Sequence, residues 1–114
     1  MKGFSKEQII SVVQGAVVEA KAAATDMYMR IGERDACGFG WVEIYVDRTN
    51  SKEAKALIEA GFRKSYKSKC LEMWDPAAFP TQSISVKEAG ARAFADYFRQ
   101  FFPEARIYAS SRMD

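Results

Sequence analysis

Histidine is absent from the 114 residues of this chain. The chain therefore lacks the usual general base, the commonest metal ligand and the one side chain that ordinarily titrates near neutral pH. Ser-His-Asp triads, Cys-His dyads and zinc sites built on histidine are therefore excluded. We expect no metal site and no bound cofactor.

Cysteine is scarce, with only two residues. Cys37 and Cys70 have neither the CxxC spacing of a redox or metal motif nor the density of a disulfide scaffold. We therefore expect two reduced thiols in a cytoplasmic protein. Cys37 has no neighbouring lysine or histidine to activate its thiol, and we predict that it is a small buried hydrophobic residue.

Long apolar runs and a strong net charge are also lacking. The most apolar stretch, residues 9–18, is too short and too polar to span a membrane, so no membrane partner is expected. A net charge of +2 excludes a dominant phosphate-binding field and leaves only local basic patches. The length and the 48% hydrophobic content predict one ordered domain over residues 1–114.

Three helices are predicted, each opening on a capping-box pattern. The capping pairs are Ser5 with Gln8, Asn50 with Glu53, and Ser85 with Glu88. In the first helix, residues 6–30, apolar side chains recur every three or four positions, which predicts one face against a core.

The strands alternate between apolar and polar residues. Residues 41–46 form the clearest case, residues 62–74 predict a hairpin, and residues 106–112 predict a last strand. Gly38 and Gly40 are interpreted as a tight turn whose backbone angles only glycine adopts cheaply. The chain is therefore predicted to be α+β. Residues 41–112 form a ferredoxin-like βαββαβ unit behind an extra N-terminal helix, with an antiparallel or mixed sheet packed on helices.

One face of the predicted sheet is a candidate interface. If the residues that alternate with Val42 and Ile44 point away from the helices, aromatic rings and charges of both signs collect there. Those residues are Trp41, Glu43, Tyr45, Cys70, Glu72, Trp74, Arg106, Tyr108 and Arg112. The first helix could cover this face, a second copy could pair on it, or a small flat ligand could stack between Trp and Tyr.

Residues 62–69 form a basic segment with interleaved aromatic rings. Its members are Phe62, Arg63, Lys64, Tyr66, Lys67 and Lys69. Such a pattern is typical of surfaces that bind single-stranded nucleic acid, and it is also typical of an edge hairpin kept from aggregating by its lysines. The second interpretation is the favoured one.

An enzymatic site would have to use carboxylates and arginine. Glu43, Glu72 and Arg106 are the one such set that the predicted sheet brings to a single face. The glycines at 38 and 40 do not form a phosphate-binding loop, because they precede a strand where that loop must lead into a helix.

Several segments carry a resemblance to a known family. They are DACGFGWVEIYV, EAGFRKSY, MWDP, VKEAGARAFADYFR and YASSRMD. Across residues 34–114 the chain resembles a family of small uncharacterised proteins of tailed bacteriophages, marine ones included, in which DACGFxWV, KEAGA and a C-terminal SRxD recur. The resemblance brings no activity and no catalytic residue, and it implies action in the cytoplasm of a bacterial host.

The leading hypothesis is a phage accessory protein that binds a host protein or a small metabolite and does not catalyse a reaction. The binding surface would be the outward sheet face or the loop at residues 75–80, and we expect a homodimer. Two alternatives remain open: a protein that binds single-stranded nucleic acid or a nucleotide through the basic segment, and an enzyme without histidine.

Overall fold

A computed structural model describes residues 1–114 as three helices and a four-stranded antiparallel sheet, an α+β architecture in the predicted order. The elements are α1 (Lys6–Ile31), β1 (Gly38–Tyr45), α2 (Lys52–Glu59), β2 (Arg63–Lys64), β3 (Cys70–Trp74), α3 (Ile84–Phe101) and β4 (Arg106–Met113). None of the three helices has the length and apolar character that crossing a membrane requires.

The sheet has the strand order β2-β3-β1-β4, so β1 is a central strand with β3 on one side and β4 on the other. Val42 lies between Met73 and Ala109, and Ile44 lies between Leu71 and Ile107. Because successive side chains of a strand point to opposite faces, these apolar residues all face the helices. Val42, Ile44 and Ile107 are fully buried there.

The helix α1 packs on α3 and α2. Its buried stripe is narrow and consists mostly of small residues, which let neighbouring helix backbones come close. The stripe is Ile9, Val13, Ala16, Ala20 and Ala24. All three helices therefore lie on one side of the sheet, because α3 itself packs on β1 and β4. The predicted possibility that α1 covers the other face is wrong, since its apolar stripe is used against α3.

Gly38 and Gly40 are strand residues and do not form a turn. Both belong to β1, which begins three residues earlier than predicted, and neither has a positive φ angle. Both glycines allow neighbouring backbone atoms to lie close to β1. A Cβ on Gly40 would lie 2.9 Å from the backbone carbonyl of Lys87 in α3. A Cβ on Gly38 would lie 2.7 Å from the carbonyl oxygen of Arg112. The predicted turn is wrong because the constraint on these glycines is steric and tertiary.

The helix caps agree with the prediction only for α1. Ser5 and Gln8 form the complete capping box there. The helix α2 is capped by Ser51, one residue later than predicted, and α3 by Ser83, two residues earlier. Each of these serines accepts a hydrogen bond from a backbone N–H of the first helical turn, as the predicted cap would have done.

Asp35 explains why Ser83 caps α3. Its carboxylate accepts hydrogen bonds from the Ser83 hydroxyl (2.8 Å) and from the Ser85 backbone N–H (2.7 Å). These bonds tie the segment before β1 to the start of α3. Hydrogen bonds from Ser85 and Ser83 lower the pKa of Asp35 from 3.8 to about 2.

We expect Asp35→Ala to lower the melting temperature in a pH-dependent way. The folded-state pKa lies below the ordinary value of 3.8, so the ionised carboxylate stabilises the fold above about pH 4. That contribution disappears as the pH falls toward 2. Thermal unfolding from pH 2 to pH 7 should therefore show a difference between variant and wild type that is constant near neutrality and shrinks in acid. Glu19→Ala, at an exposed α1 position, should show no such trend.

We expect Gly40→Ala to destabilise the protein by about 1–3 kcal/mol, because the added methyl group meets backbone atoms of Lys87 that cannot move alone. Urea denaturation measures the loss. Ser110→Ala is the matched control, since Ser110 is paired with Trp41 on the opposite face of the sheet. Equal stability of the two variants would contradict the close approach.

Candidate binding surface on the outer face of the sheet

The outer face is the set of side chains that the four strands point away from the helices. It consists of Phe39, Trp41, Glu43, Tyr45, Arg63, Cys70, Glu72, Trp74, Arg106, Tyr108, Ser110 and Arg112. The strand registers bring together every residue that the sequence assigned to this face. They add Phe39, Arg63 and Ser110. No helix packs against it, so side chains of the sheet alone decide its shape.

Two tryptophans form the centre of the outer face. Trp41 and Trp74 are directly paired across β1 and β3, and their rings stack with centroids 4.5 Å apart at an angle of 15°. Phe39 meets Trp74 edge-on at 5.8 Å. The two indole rings therefore stack on each other. They leave no gap between a tryptophan ring and Tyr45 in which a flat ligand could stack.

Two carboxylates lie beneath this aromatic cluster. Glu43 and Glu72 are direct cross-strand neighbours, only 6% and 9% exposed. The indole N–H of Trp41 donates to Glu43 at 3.0 Å, and that of Trp74 donates to Glu72. Each carboxylate is thus held by the tryptophan two residues away, which fixes the ring orientation as well as the charge.

Lys67 neutralises one of the two carboxylates. Its ammonium group lies 2.9 and 3.0 Å from the two oxygens of Glu43. Burial raises the pKa of Glu43, but the hydrogen bonds from Trp41 and Lys67 outweigh it, and the net pKa is below its ordinary value. The pKa of Lys67 is raised, chiefly by its hydrogen bond to Glu43. Both groups are therefore charged at neutral pH, although Glu43 lies directly opposite the carboxyl group of Glu72.

The exposed charged residues that the four strands themselves place on the outer face are all basic. Arg63, Arg106 and Arg112 are exposed, whereas both glutamates are buried. Arg112 lies 5.4 Å from the centre of the Phe39 ring. Arg106 lies over Tyr45 and 3.8 Å from Asp47, which follows the end of β1. With Tyr108 53% exposed, solvent meets a surface of arginines and rings.

No protein-family model, curated protein or solved structure matches this chain. Function has therefore to be inferred from the geometry of the outer face and its surroundings.

The structure does not assemble the predicted carboxylate and arginine set. Glu43 and Glu72 are neighbours, but Arg106 is paired with Tyr45 on the opposite side of β1 from β3. Its guanidinium contacts Tyr45 and Asp47. The glutamates are bound by tryptophan N–H groups and by Lys67, so these three residues do not surround a common point.

The predicted basic segment is divided between different surroundings. Phe62 is buried in the core, 5.8 Å from Phe94, and cannot stack on a base. Lys67 is part of the ion pair with Glu43. The exposed members of the segment are Arg63, Lys64, Tyr66 and Lys69. Among them Tyr66 is 92% exposed.

The two cysteines differ in their surroundings. Cys37 is exposed, and its sulfur lies 3.5 Å from the side-chain oxygen of Gln82, so the prediction that it is buried is wrong. The reason is that the connection between α1 and β1 runs over the surface. Cys70 is buried under the outer face, and this burial raises the pKa of its thiol.

The loop at residues 75–80 is packed and does not form a separate binding loop. Pro76 and Ala77 are buried, and the Ala77 carbonyl accepts a hydrogen bond from Lys21 of α1 at 2.9 Å. Burial raises the pKa of Asp75, although Lys87 and Lys21 pull it down. Only Ala78 and Pro80 of this loop are exposed.

A cavity of about 280 Å³ adjoins the outer face at Tyr45 and Arg106. Its charged lining residues are Lys2, Asp47, Glu53, Glu104 and Arg106. Sequence patterns did not indicate it, because these residues come from the N-terminal segment, the start of α2 and the turn before β4. Phe39 was also missed, because the glycines on either side of it were assigned to a turn.

We expect Lys67→Met to raise the pKa of Glu43, because burial then acts without the opposing cation. In wild type, the ionised form of Glu43 stabilises the fold above its ordinary pKa of 4.5 and is lost on acidification. The variant should therefore be less stable at pH 7 and lose less stability between pH 5 and pH 3.

Denaturation at several pH values, with NMR titration of the Glu43 carboxyl carbon, measures both effects. Lys64→Met is the matched control, because Lys64 is an exposed lysine of the same hairpin with no ion pair. A Glu43 pKa that is unchanged in Lys67→Met would show that the ion pair does not form in solution.

Proposed function

We propose that this protein acts by binding, and that its outer face docks on an acidic surface of a partner protein. The observation that carries the proposal is the combination of buried carboxylates with exposed arginines and aromatic rings on a face that no helix covers. Arginine, tyrosine and tryptophan are enriched where proteins bind one another, and they supply most of the binding energy there.

The shape of the face favours a protein over a small metabolite. Small ligands are bound in concave sites that enclose most of their surface. On the outer face the Trp41 and Trp74 rings close on each other, which leaves a continuous surface with no slot between them. The cavity beside Tyr45 is the place that a metabolite would occupy, but it is lined mainly by charged and polar residues and lies apart from the two tryptophans.

The charge of the face favours an acidic partner. Arg63, Arg106 and Arg112 lie around the aromatic centre, and the carboxylates that could repel an acidic surface are buried and bound. Such complementarity mainly raises the association rate and selects among partners. The planar guanidinium groups can also bind carboxylates through two parallel hydrogen bonds.

The resemblance to small phage proteins suggests where this partner would be met. On that basis the partner is a protein of a bacterial host, met in the host cytoplasm, and the chain is a phage accessory protein that assembles as a homodimer. We also propose that the fold is ferredoxin-like. The strand order β2-β3-β1-β4, in which each helix of the βαββαβ unit connects strands that are not neighbours, supports this assignment.

A second candidate function is binding of single-stranded nucleic acid by the hairpin of β2 and β3. The observation in its favour is Tyr66, which is 92% exposed and lies in a segment with exposed Arg63, Lys64 and Lys69. An exposed ring with lysines beside it can stack on a base and neutralise phosphates. The burial of Phe62 leaves a single ring for this purpose, and for that reason the acidic protein partner is preferred.

Arg112→Glu tests the proposal. We expect this variant, immobilised and exposed to nuclease-treated bacterial lysate, to lose a protein that wild type captures. The purified partner should then bind the variant at least roughly tenfold more weakly, with the wild-type affinity falling as salt rises. Arg34→Glu changes the charge equally at an exposed position outside the sheet and should bind like wild type.

Two results would contradict the proposal. Capture that is equal for Arg112→Glu and wild type would place binding elsewhere. Binding of a labelled single-stranded oligonucleotide that is lost in Tyr66→Ala and retained in Arg112→Glu would favour the hairpin and the second candidate function.

A further inference from the structure

The strand β4 forms a long open edge of the sheet. It has eight residues and pairs only with β1, whereas the opposite edge strand, β2, has two residues. An edge of this length offers a row of backbone donors and acceptors to another strand. The strand β4 contains no proline, so each of its residues has a backbone N–H that can donate.

The odd-numbered residues of β4 direct their backbone groups outward. The backbone N–H of Asp114 donates to the carbonyl of Cys37 at 3.1 Å. Because the hydrogen-bonding direction alternates along a strand, the backbone groups of the even-numbered residues of β4 therefore point toward β1. The carbonyl of Ile107 instead accepts a hydrogen bond from Arg99 of α3, which reaches it from the open side. The outward residues are therefore Ile107, Ala109, Ser111 and Met113.

We propose that a second copy of this chain pairs antiparallel on β4 with its two-fold axis at Ser110, forming one continuous eight-stranded sheet. The inference rests on the homodimer proposed above and names its surface. An isologous contact of this kind closes at two subunits, because each copy uses the same edge. In this register Ala109 of one copy lies opposite Ser111 of the other, and both direct their backbone groups outward.

The side chains of β4 are complementary to themselves in this register on the outer face. Arg106 lies opposite Asp114 of the second copy, which pairs opposite charges. Tyr108 lies opposite Arg112 of the second copy, which pairs a ring that is 53% exposed with a guanidinium group. Each pair occurs twice because of the two-fold axis.

The helix side of the edge is complementary as well. Met113, which is 68% exposed in the single chain, lies opposite Ile107 of the second copy, whose side chain is already buried in its own core. Glu88 and Arg92 of α3 flank a groove of about 70 Å³ whose other lining residues are Ala109, Ser110 and Ser111. The two-fold axis at Ser110 brings Glu88 of one copy toward Arg92 of the other, so opposite charges meet across the axis.

The neighbouring register is unfavourable. With the axis at Ala109, Arg106 would lie opposite Arg112, and like charges directly across a strand pair destabilise it. Asp114 would then have no cation opposite it. Of these two registers the charges of β4 favour the one centred on Ser110, and its complementary pairs favour a second copy over an arbitrary extended peptide.

A disulfide test addresses the register directly. In a Cys37→Ser background, we expect Ser110→Cys to form a covalent dimer under mild oxidation. Two residues on the axis, in a pair that is not hydrogen-bonded, have Cα atoms about 4.5 Å apart, within the range of a disulfide. Arg112→Cys in the same background should not cross-link by itself. It should cross-link when mixed with Tyr108→Cys.

A backbone test addresses the edge. Ser111→Pro removes an outward N–H without removing a hydrogen bond to β1, so the monomer should still fold. We expect the dimer dissociation constant, measured by sedimentation, to rise at least roughly tenfold. Ser111→Ala, which loses the hydroxyl bound to Glu88 and keeps the N–H, should remain dimeric. Circular dichroism verifies the fold of each variant.

The outcomes separate this inference from the binding function. A monomeric wild type, or a dimer that Ser111→Pro leaves intact and Ser110→Cys does not cross-link, overturns the edge dimer. A monomeric Ser111→Pro that still captures the acidic partner supports both proposals. If the dimer behaves as expected and capture is unchanged both in Arg112→Glu and in Arg63→Glu, whose arginine lies on β2 away from the dimer edge, only the binding function fails.

Discussion

The alternation of side chains along β1 is the constraint on which the rest of the structure depends. Val42 and Ile44 enter the core against α3 and the neighbouring strands, while Trp41, Glu43 and Tyr45 point the other way. A shift of one residue in register would exchange the two sets and bury a carboxylate in the apolar core. The core and the outer face are therefore specified together, by the same strand and the same pairing.

Close contact between the helices and the sheet follows from small residues placed where the backbones meet. Gly40 lets the first turn of α3 lie directly on β1, and Gly90 lets α3 approach Ala77 and Ala20. The buried stripe of α1, three alanines with Ile9 and Val13, packs against α3 and α2 and not against the outer face of the sheet. This apolar stripe is thus buried against other helices, and no helix covers the outer face.

The outer face is more ordered than a set of exposed aromatic residues would be. The indole N–H groups donate hydrogen bonds to the buried glutamates, and Lys67 forms an ion pair with Glu43. Two carboxyl groups buried side by side are costly unless they are hydrogen-bonded, and the bonds that satisfy them also fix the orientation of the two tryptophan rings. A binding surface benefits from this, because fewer rotamers must be frozen when a partner arrives.

Sequence periodicity sufficed for the features that depend on local backbone geometry. The period of 3.6 in α1 and the period of two in residues 41–46 identified these elements, and the alternation in the predicted strands identified most members of the outer face, though not Phe39, Arg63 or Ser110. Positions decided by contacts distant in sequence were missed or misassigned: Ser83 as the cap of α3 through Asp35, Gly40 as a contact point, Phe62 as a core residue, and Cys37 as an exposed one.

The sequence by itself determined which side chains share a face, because the direction of a side chain follows from its place in a helix or strand. Only the tertiary structure decided that α1 leaves the outer face uncovered, that Trp41 stacks on Trp74, and that Lys67 neutralises Glu43. These depend on distances between elements, which packing fixes and which no single segment of the chain encodes.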